Sequence, residues 1–297
     1  MKTARQTRTL PPIFKIPSSP PSEKGMSLEE AVDYALSAEG SGFRKRLAME
    51  AGRASGLSLA QAGDLAEGIE MFHHASLIFD DLPAMDDASE RRGRACLHRV
   101  AGEGVSILAA LALVNRAYTL CWKVAADFPA HSHAASRLVD LCIGELGLLT
   151  GQARDLSYSR EKGPDEVRAI AGLKTGALLR LTILLPAILG GVSSHDRLLL
   201  FRVADAWGLA YQGMDDFSDM MGEAFPTGKT GNRDEKLDRP NLVLALGADQ
   251  AAAAVSAALR EAEENLETLG LRWGGLAEFH ALLCQKEAEV CRALDAA

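Results

Sequence analysis

From about Met26 onward the chain carries a helical rhythm. Apolar residues recur at i, i+3, i+4 and i+7 through LEEAVDYALSA, LAQAGDLAEGIEMFHHASLIF, GVSILAALALVNRAYTLCWKVAADF, ASRLVDLCIGELGLLTGQA and AAAAVSAALREAEENLETLG, the spacing that gathers side chains on one face of an α-helix. Several segments are apolar on more than one face, which places them inside a bundle. Period-two runs rich in Val, Ile, Thr and aromatics are nearly absent, so strands are not expected. FPAHSH, REKGPDE and GVSSHDR read as short interhelical loops. The pattern predicts one all-α domain of about ten helices over residues 26–297.

Proline sets the other boundary. Five of the 11 prolines fall within residues 1–25, where no helical period survives, so this stretch reads as an extended or mobile tail. Hydrophobic residues at 47 % and charged residues at 24 % suit a globular protein with a large core. A formal net charge of −8 argues against a nucleic-acid backbone as partner. It allows anionic small molecules, because a basic pocket or bound cation reverses the local sign. The 5 cysteines are scattered in apolar helical contexts without CxxC pairs, as expected of buried, reduced thiols in a cytoplasmic protein. No apolar run reads as a membrane span, and no hydrophobic stretch follows Lys2, Arg5 and Arg8 as in a secretory signal.

Two aspartate clusters then stand out. DDLPAMDD runs from Asp80 to Asp87 and follows an apolar helix containing His73; DDFSD runs from Asp215 to Asp219 and follows WGLAYQGM. At about 100° per residue, Asp215, Asp216 and Asp219 share one helical face. Asp80 and Asp81 share a face too, but Pro83 interrupts the count, and periodicity leaves open which of Asp86 and Asp87 turns inward. Carboxylates gathered on apolar helices repel one another and are costly to desolvate. Divalent cations relieve both problems, and Mg²⁺ commonly takes one or two carboxylates together with phosphate oxygens and water. Basic residues accompany the clusters: Arg91, Arg92 and Arg94 after the first, Lys174 beside Thr175 in an apolar segment, Lys229 after the second, and Arg44, Lys45 and Arg46 near the start. The set suits a diphosphate whose charge must be neutralised as it leaves.

With these elements in order, the chain resembles the trans-isoprenyl diphosphate synthases. HHASLIFDDLPAMDDASERRGRACLH is similar to that family's first aspartate-rich motif followed by RRG, in its bacterial and plant-plastid form. GLAYQGMDDFSD is similar to the second motif, Lys174-Thr175-Gly176 to a KTG element, and GQARDL to a GQxxDL element. The resemblance implies the isoprenoid synthase fold, a helical bundle around a central cavity, and head-to-tail condensation of isopentenyl diphosphate with dimethylallyl, geranyl or farnesyl diphosphate. It implies three Mg²⁺ ions held by Asp80, Asp81 and Asp86 on one side and Asp215 and Asp219 on the other, with Asp216 in the same catalytic motif. Arg91, Lys174 and Lys229 would contact the allylic diphosphate, with Thr175 in the same element and Gln212 lining its site. Arg44, Arg46, His73 and Arg92 would serve isopentenyl diphosphate. A homodimer is implied as well.

Two departures from the family pattern bear on function. Phe43 replaces a lysine that binds isopentenyl diphosphate, so Phe43→Lys is expected to restore a contact. The family's GK[ST] lysine has no clean counterpart, Lys236 being offset by one. Product length is expected to be read on the helix before Asp80. Ala75 and Ser76 are small, and Phe72, one turn below, acts as a floor, which favours the twenty-carbon geranylgeranyl diphosphate. A farnesyl diphosphate synthase and a poorly active partner subunit of another synthase are the alternatives.

Overall fold

The computed structural model describes residues 25–38, 40–221 and 239–295. The expected tail therefore lies outside the described residues but for Gly25, as do Lys229 and Lys236. Eleven helices of nine residues or more carry the described fold. Three run through its middle: α3 (Leu59–Asp80), α9 (Ala177–Leu189) and α10 (Ser194–Met221).

Local chemistry sets where several of these begin. α1 (Leu28–Leu36) opens on a capping box in which Ser27 Oγ accepts from Glu30 N–H while Glu30 accepts from Ser27 N–H at 2.8 Å. Ser58 and Gln61 repeat the device at the head of α3. Each box satisfies two donors that a helix start leaves unpaired. Along α3 buried residues occur on several faces, including Leu65, Ile69, Phe72, Ala75 and Ile78, so the helix is enclosed. α2 (Phe43–Ala54) and α5 (Glu103–Ala125) pack on it from two sides, and α6 (Ser132–Ile143) completes that layer against α9.

Between α3 and the short α4 (Leu97–Ala101) lies a hairpin of β1 (Glu90–Arg91) and β2 (Arg94–Ala95), the one departure from helix among the described residues. Its register leaves Arg92 and Gly93 as a two-residue turn with φ of 54° and 71°, the type I′ geometry that suits the twist of a tight hairpin. Gly93 adopts this freely, whereas Arg92 bears strain of about 1–3 kcal/mol.

The chain continues through α7 (Leu148–Leu156) and α8 (Gly163–Ala171), then widens into a π-helical turn, Gly172–Gly176, before α9. α10 is covered by α11 (Leu242–Leu246), α12 (Ala248–Leu269) and α13 (Gly275–Asp295). The all-α bundle expected from the periodicity is therefore present. Two stretches, Glu103–Ala125 and Arg160–Leu189, are long and apolar enough by composition to cross a membrane, which the sequence reading did not anticipate. The second is mostly buried inside the bundle, and α5 packs one face on α3.

Phe43 corrects an expectation. Its ring stands edge-on to Phe279 of α13, centroids 5.3 Å apart and planes at 83°, and packs on the central core. It joins α2 to α13 and does not line the main cavity. Phe43→Lys is accordingly expected to add no substrate contact and to lower stability by about 1.5–3 kcal/mol, from lost apolar burial and the ring pair. Urea unfolding compared with wild type measures the loss.

Candidate active site

Asp80 ends α3 and Asp215 lies near the end of α10, and a cavity of about 610 Å³ opens between them. Its polar end is lined by Asp80, Asp86, Asp155, Asp215, Asp216 and Asp219 among the acids, faced by Arg44, Arg91, Arg92, Lys174 and Arg239. Its apolar part is built by Leu77, Val167, Ile170, Ala171 and Leu178.

The first cluster divides by direction. Asp80 is held above the usual carboxylate range, chiefly by burial; Lys174 opposes that rise, and Asp86 and Asp155 add to it. Asp81, one residue on, is buried and takes both Nε and Nη2 of Arg91, at 2.9 and 2.7 Å. It lies outside the cavity lining, because the helix stops at Asp80 and the next carboxylate turns towards the hairpin. The expectation that Asp81 faces the site beside Asp80 is corrected; it anchors Arg91 there instead. The question left open over Asp86 and Asp87 is resolved. Asp86 lines the cavity, while Asp87 is exposed with a φ of 46° and Arg99 3.9 Å away.

In the second cluster Asp216 is buried and holds backbone together. One oxygen accepts from Gln212 Nε2 at 2.8 Å and the other from Leu242 N–H at 2.6 Å. Gln212 Oε1 accepts from Thr175 Oγ1 at 2.7 Å. A relay thus runs from the π-turn through α10 to α11. Asp215 lies 3.3 Å from Lys286 of α13, whose ammonium also sits 4.7 Å from the centre of the Tyr211 ring.

Lys174 reaches the cavity from the π-turn, a distortion often found at functional sites. Burial pulls its pKa down, but Asp80, Asp155 and Asp86 together push it above the ordinary lysine value, so it is a fixed cation. The turn is gripped by backbone approach. A Cβ at Gly151 of α7 would lie 2.7 Å from Lys174 N, and one at Gly208 of α10 would lie 2.8 Å from the Gly176 Cα. Only glycine fits such contacts.

The basic residues near the start are corrected in part. Arg44 lines the cavity, with Nη1 3.4 Å from His73 Nε2. Arg46 is exposed and lies over the Phe279 ring at 5.7 Å, outside the cavity. The two stand about 200° apart on α2, and in this structure only Arg44 is turned to the cavity. His73 is held well below the ordinary histidine value, first by burial and then by Arg44 and neighbouring cations. It is therefore neutral near pH 7. Of the proposed length-setting residues, only Ser76 lines the cavity. Ala75 is buried in the core with α1 and α5. Phe72 packs edge-on to Tyr118 at 5.1 Å, so it is core and not the cavity floor.

Arg239 was missed by sequence reasoning. Its guanidinium donates to Asp86 Oδ1 and Met85 O, both at 2.9 Å, and lies 3.4 Å from Asp155. Asp155 is also 3.2 Å from Lys174. The available signal was Asn241, whose side chain caps α11 by accepting from Val243 and Leu244 N–H. A helix start recognised there places Arg239 just before it along the chain, without placing it in space.

Three buried donors on cavity-lining residues have no partner: Arg44 Nε, Gln152 Nε2 and Arg239 Nε. Buried donors are rarely left so, and an anionic ligand would satisfy them. The acids offer only carboxylate oxygen, the hard-donor chemistry of Mg²⁺. Among the described residues no three of them converge as a ready-made metal cage. That fits a cation taking one or two carboxylates from each wall and the remainder from phosphate and water.

A family model for polyprenyl synthetases matches residues 26–269. Among curated proteins the chain is similar to a geranylgeranyl pyrophosphate synthase 9, chloroplastic, of Arabidopsis thaliana, 35 % identical over 257 residues, covering 84 % of this chain and 71 % of that one. It is also similar to a geranylgeranyl diphosphate synthase of Pseudescherichia vulneris, 34 % identical over 218 residues, 73 % of this chain and 69 % of the relative. Among solved structures it is similar to a geranyltranstransferase from Thermotoga maritima, with a TM-score of 0.72 and 26 % identity over 90 % of this chain and 91 % of that one. An FPP/GFPP synthase from Zymomonas mobilis gives 0.73 and 25 % over 85 % and 86 %.

Arg239→Met should leave Asp86 without this partner and Asp155 with Lys174 alone. A stability loss of about 1–3 kcal/mol is expected, read by urea unfolding, together with at least a roughly tenfold loss of pyrophosphate affinity by calorimetry.

Proposed function

The chain belongs to the polyprenyl synthetase family, and on that premise we propose that it is a Mg²⁺-dependent trans-prenyltransferase. It condenses isopentenyl diphosphate with allylic diphosphates and makes geranylgeranyl diphosphate as its main product. The observation that carries this reading is the set of unpartnered buried donors set between two acidic walls, at the head of an apolar channel. The names of the relatives support a twenty-carbon product.

In this reading Lys174, Arg239 and Arg91 hold the allylic diphosphate, while Asp80 and Asp86 on one wall and Asp215 and Asp219 on the other hold up to three Mg²⁺ ions. Bound Mg²⁺ supplies charge neutralisation for the leaving diphosphate. Arg44, neutral His73 and Arg92 receive the diphosphate of the second substrate. The allylic C–O bond breaks, with its electron pair leaving on pyrophosphate. The isopentenyl double bond then supplies the electrons of the new C–C bond. A proton leaves the adjacent carbon to pyrophosphate, forming the product double bond. Ser76, Leu77, Leu178 and Ile170 keep water from the allylic cation and accept the growing chain.

Two further elements of the proposal concern context. Ile107, Leu108 and Leu111 are exposed apolar side chains on one face of α5. They support a homodimer built on this face. The five cysteines are free, which supports a cytoplasmic location.

The test is incubation of the purified chain with Mg²⁺, isopentenyl diphosphate and each allylic diphosphate, followed by chromatography of the dephosphorylated products. Twenty-carbon product is expected. Fifteen-carbon product would favour the farnesyl alternative, and no product with any substrate would favour the partner subunit. Asp80→Ala or Asp215→Ala should lower turnover by a factor of roughly 10³ or more, given several kcal/mol of lost charge stabilisation. Ser76→Phe should shorten the product, whereas Phe72→Ala should only destabilise, by about 3–5 kcal/mol. The homodimer is checked separately by sedimentation of Leu108→Glu, which should shift to monomer.

A further inference from the structure

We propose that Arg180, held by Asp205, is a positioning residue that sets the Lys174–Thr175 turn from outside the cavity. This rests on the reading of the cavity as a diphosphate site. A π-turn is less favourable than continuous α-helix and persists only where its surroundings hold it. Here the inner side is gripped by the glycine approaches from α7 and α10. The outer side meets Arg180, which stands four residues beyond Gly176 and eight beyond Gly172, on the same helical face. Its Nη2 lies 3.6 and 3.7 Å from where Cβ atoms at those two glycines would stand, so the guanidinium lies alongside the turn on the face that both glycines leave bare.

The guanidinium is itself fixed on α10. Nε donates to Asp205 Oδ1, and the Phe201 ring centre lies 5.2 Å from the guanidinium carbon. Phe201 and Asp205 are one turn apart on α10, so that helix holds the guanidinium by a ring and a carboxylate at once. Neither Arg180 nor Asp205 lines the main cavity. Asp205 and Gln212 are seven residues apart, on one face of α10 and about 10.5 Å along it. The segment running from the turn into α9 is therefore tied to the second acidic helix at two points: Thr175 to Gln212 within the turn and Arg180 to Asp205 one helical turn further on. That double attachment keeps Lys174 in register with Asp215.

Two measurements test this, and the first needs no substrate. Hydrogen exchange of the full chain is compared between wild type and Arg180→Met, with Asp205→Asn as a second variant should the first fail to fold. Amides of residues 173–178 should exchange at least about tenfold faster while those of α12 are unchanged, as expected of a local opening. Equal exchange in the turn, or an increase spread over the whole chain, would overturn the proposal. The second is calorimetric binding of inorganic pyrophosphate with Mg²⁺ to wild type, Arg180→Met, Lys174→Ala and the double variant. Arg180→Met should weaken binding by roughly tenfold in wild type and by less than about twofold in the Lys174→Ala background, because it acts through that lysine. Equal weakening in both backgrounds would overturn it. Wild type that binds no pyrophosphate would instead refute the proposed function, and hydrogen exchange would then decide the role of Arg180 on its own.

Discussion

Mutual repulsion among carboxylates at the C-terminal ends of two apolar helices is the constraint around which this fold is arranged. Asp86 and Asp155 raise the cost of charge on Asp80, and an apolar bundle offers little water to screen it. The structure answers with a cation for each wall. Lys174 and Arg239 share Asp155, Arg239 also takes Asp86, Arg91 takes Asp81, and Lys286 reaches Asp215. On the proposed function, binding of metal and diphosphate in such a site would be an exchange of ion pairs more than a simple addition. The net affinity is the difference between the pairs broken and those formed.

What was legible in the sequence follows from how regular the local backbone is. Lys174, Thr175, Gln212 and Asp215 lie where the family motifs and the helical period point, and the structure brings them to one cavity. Asp86 and Asp87 could not be separated, because the chain leaves the helix at Asp80 and returns through a turn with a positive φ at Asp87. Arg44 and Arg46 were grouped because sequence proximity hides the 200° between them; knowing that α2 begins at Phe43 separates them. Arg239 was out of reach for a different reason. Its place depends on how the chain returns from the second acidic helix to α11, which no period in the sequence records.

The apolar channel gives a similar lesson about rotation. Ala75 and Ser76 differ by one helical step, yet only Ser76 meets the cavity, while Ala75 faces α1 and α5. Phe72 lies one turn from Ser76 along the chain, but it turns into the layer shared with α5, against Tyr118. Much of the other apolar wall comes from α7, α8 and α9, through Leu148, Leu149, Val167, Ile170 and Leu178. A length scale drawn along one helix therefore omits residues that come from others.

The hairpin beside the first cluster carries a consequence for how this sequence can drift. Arg92 occupies a left-handed backbone position that a glycine would occupy without strain. A change to glycine there would relax the folded chain while removing a cation from the polar end of the cavity. Selection for foldability and selection for chemistry thus pull in opposite directions at this one codon, and a lineage released from the second would be expected to lose the arginine early.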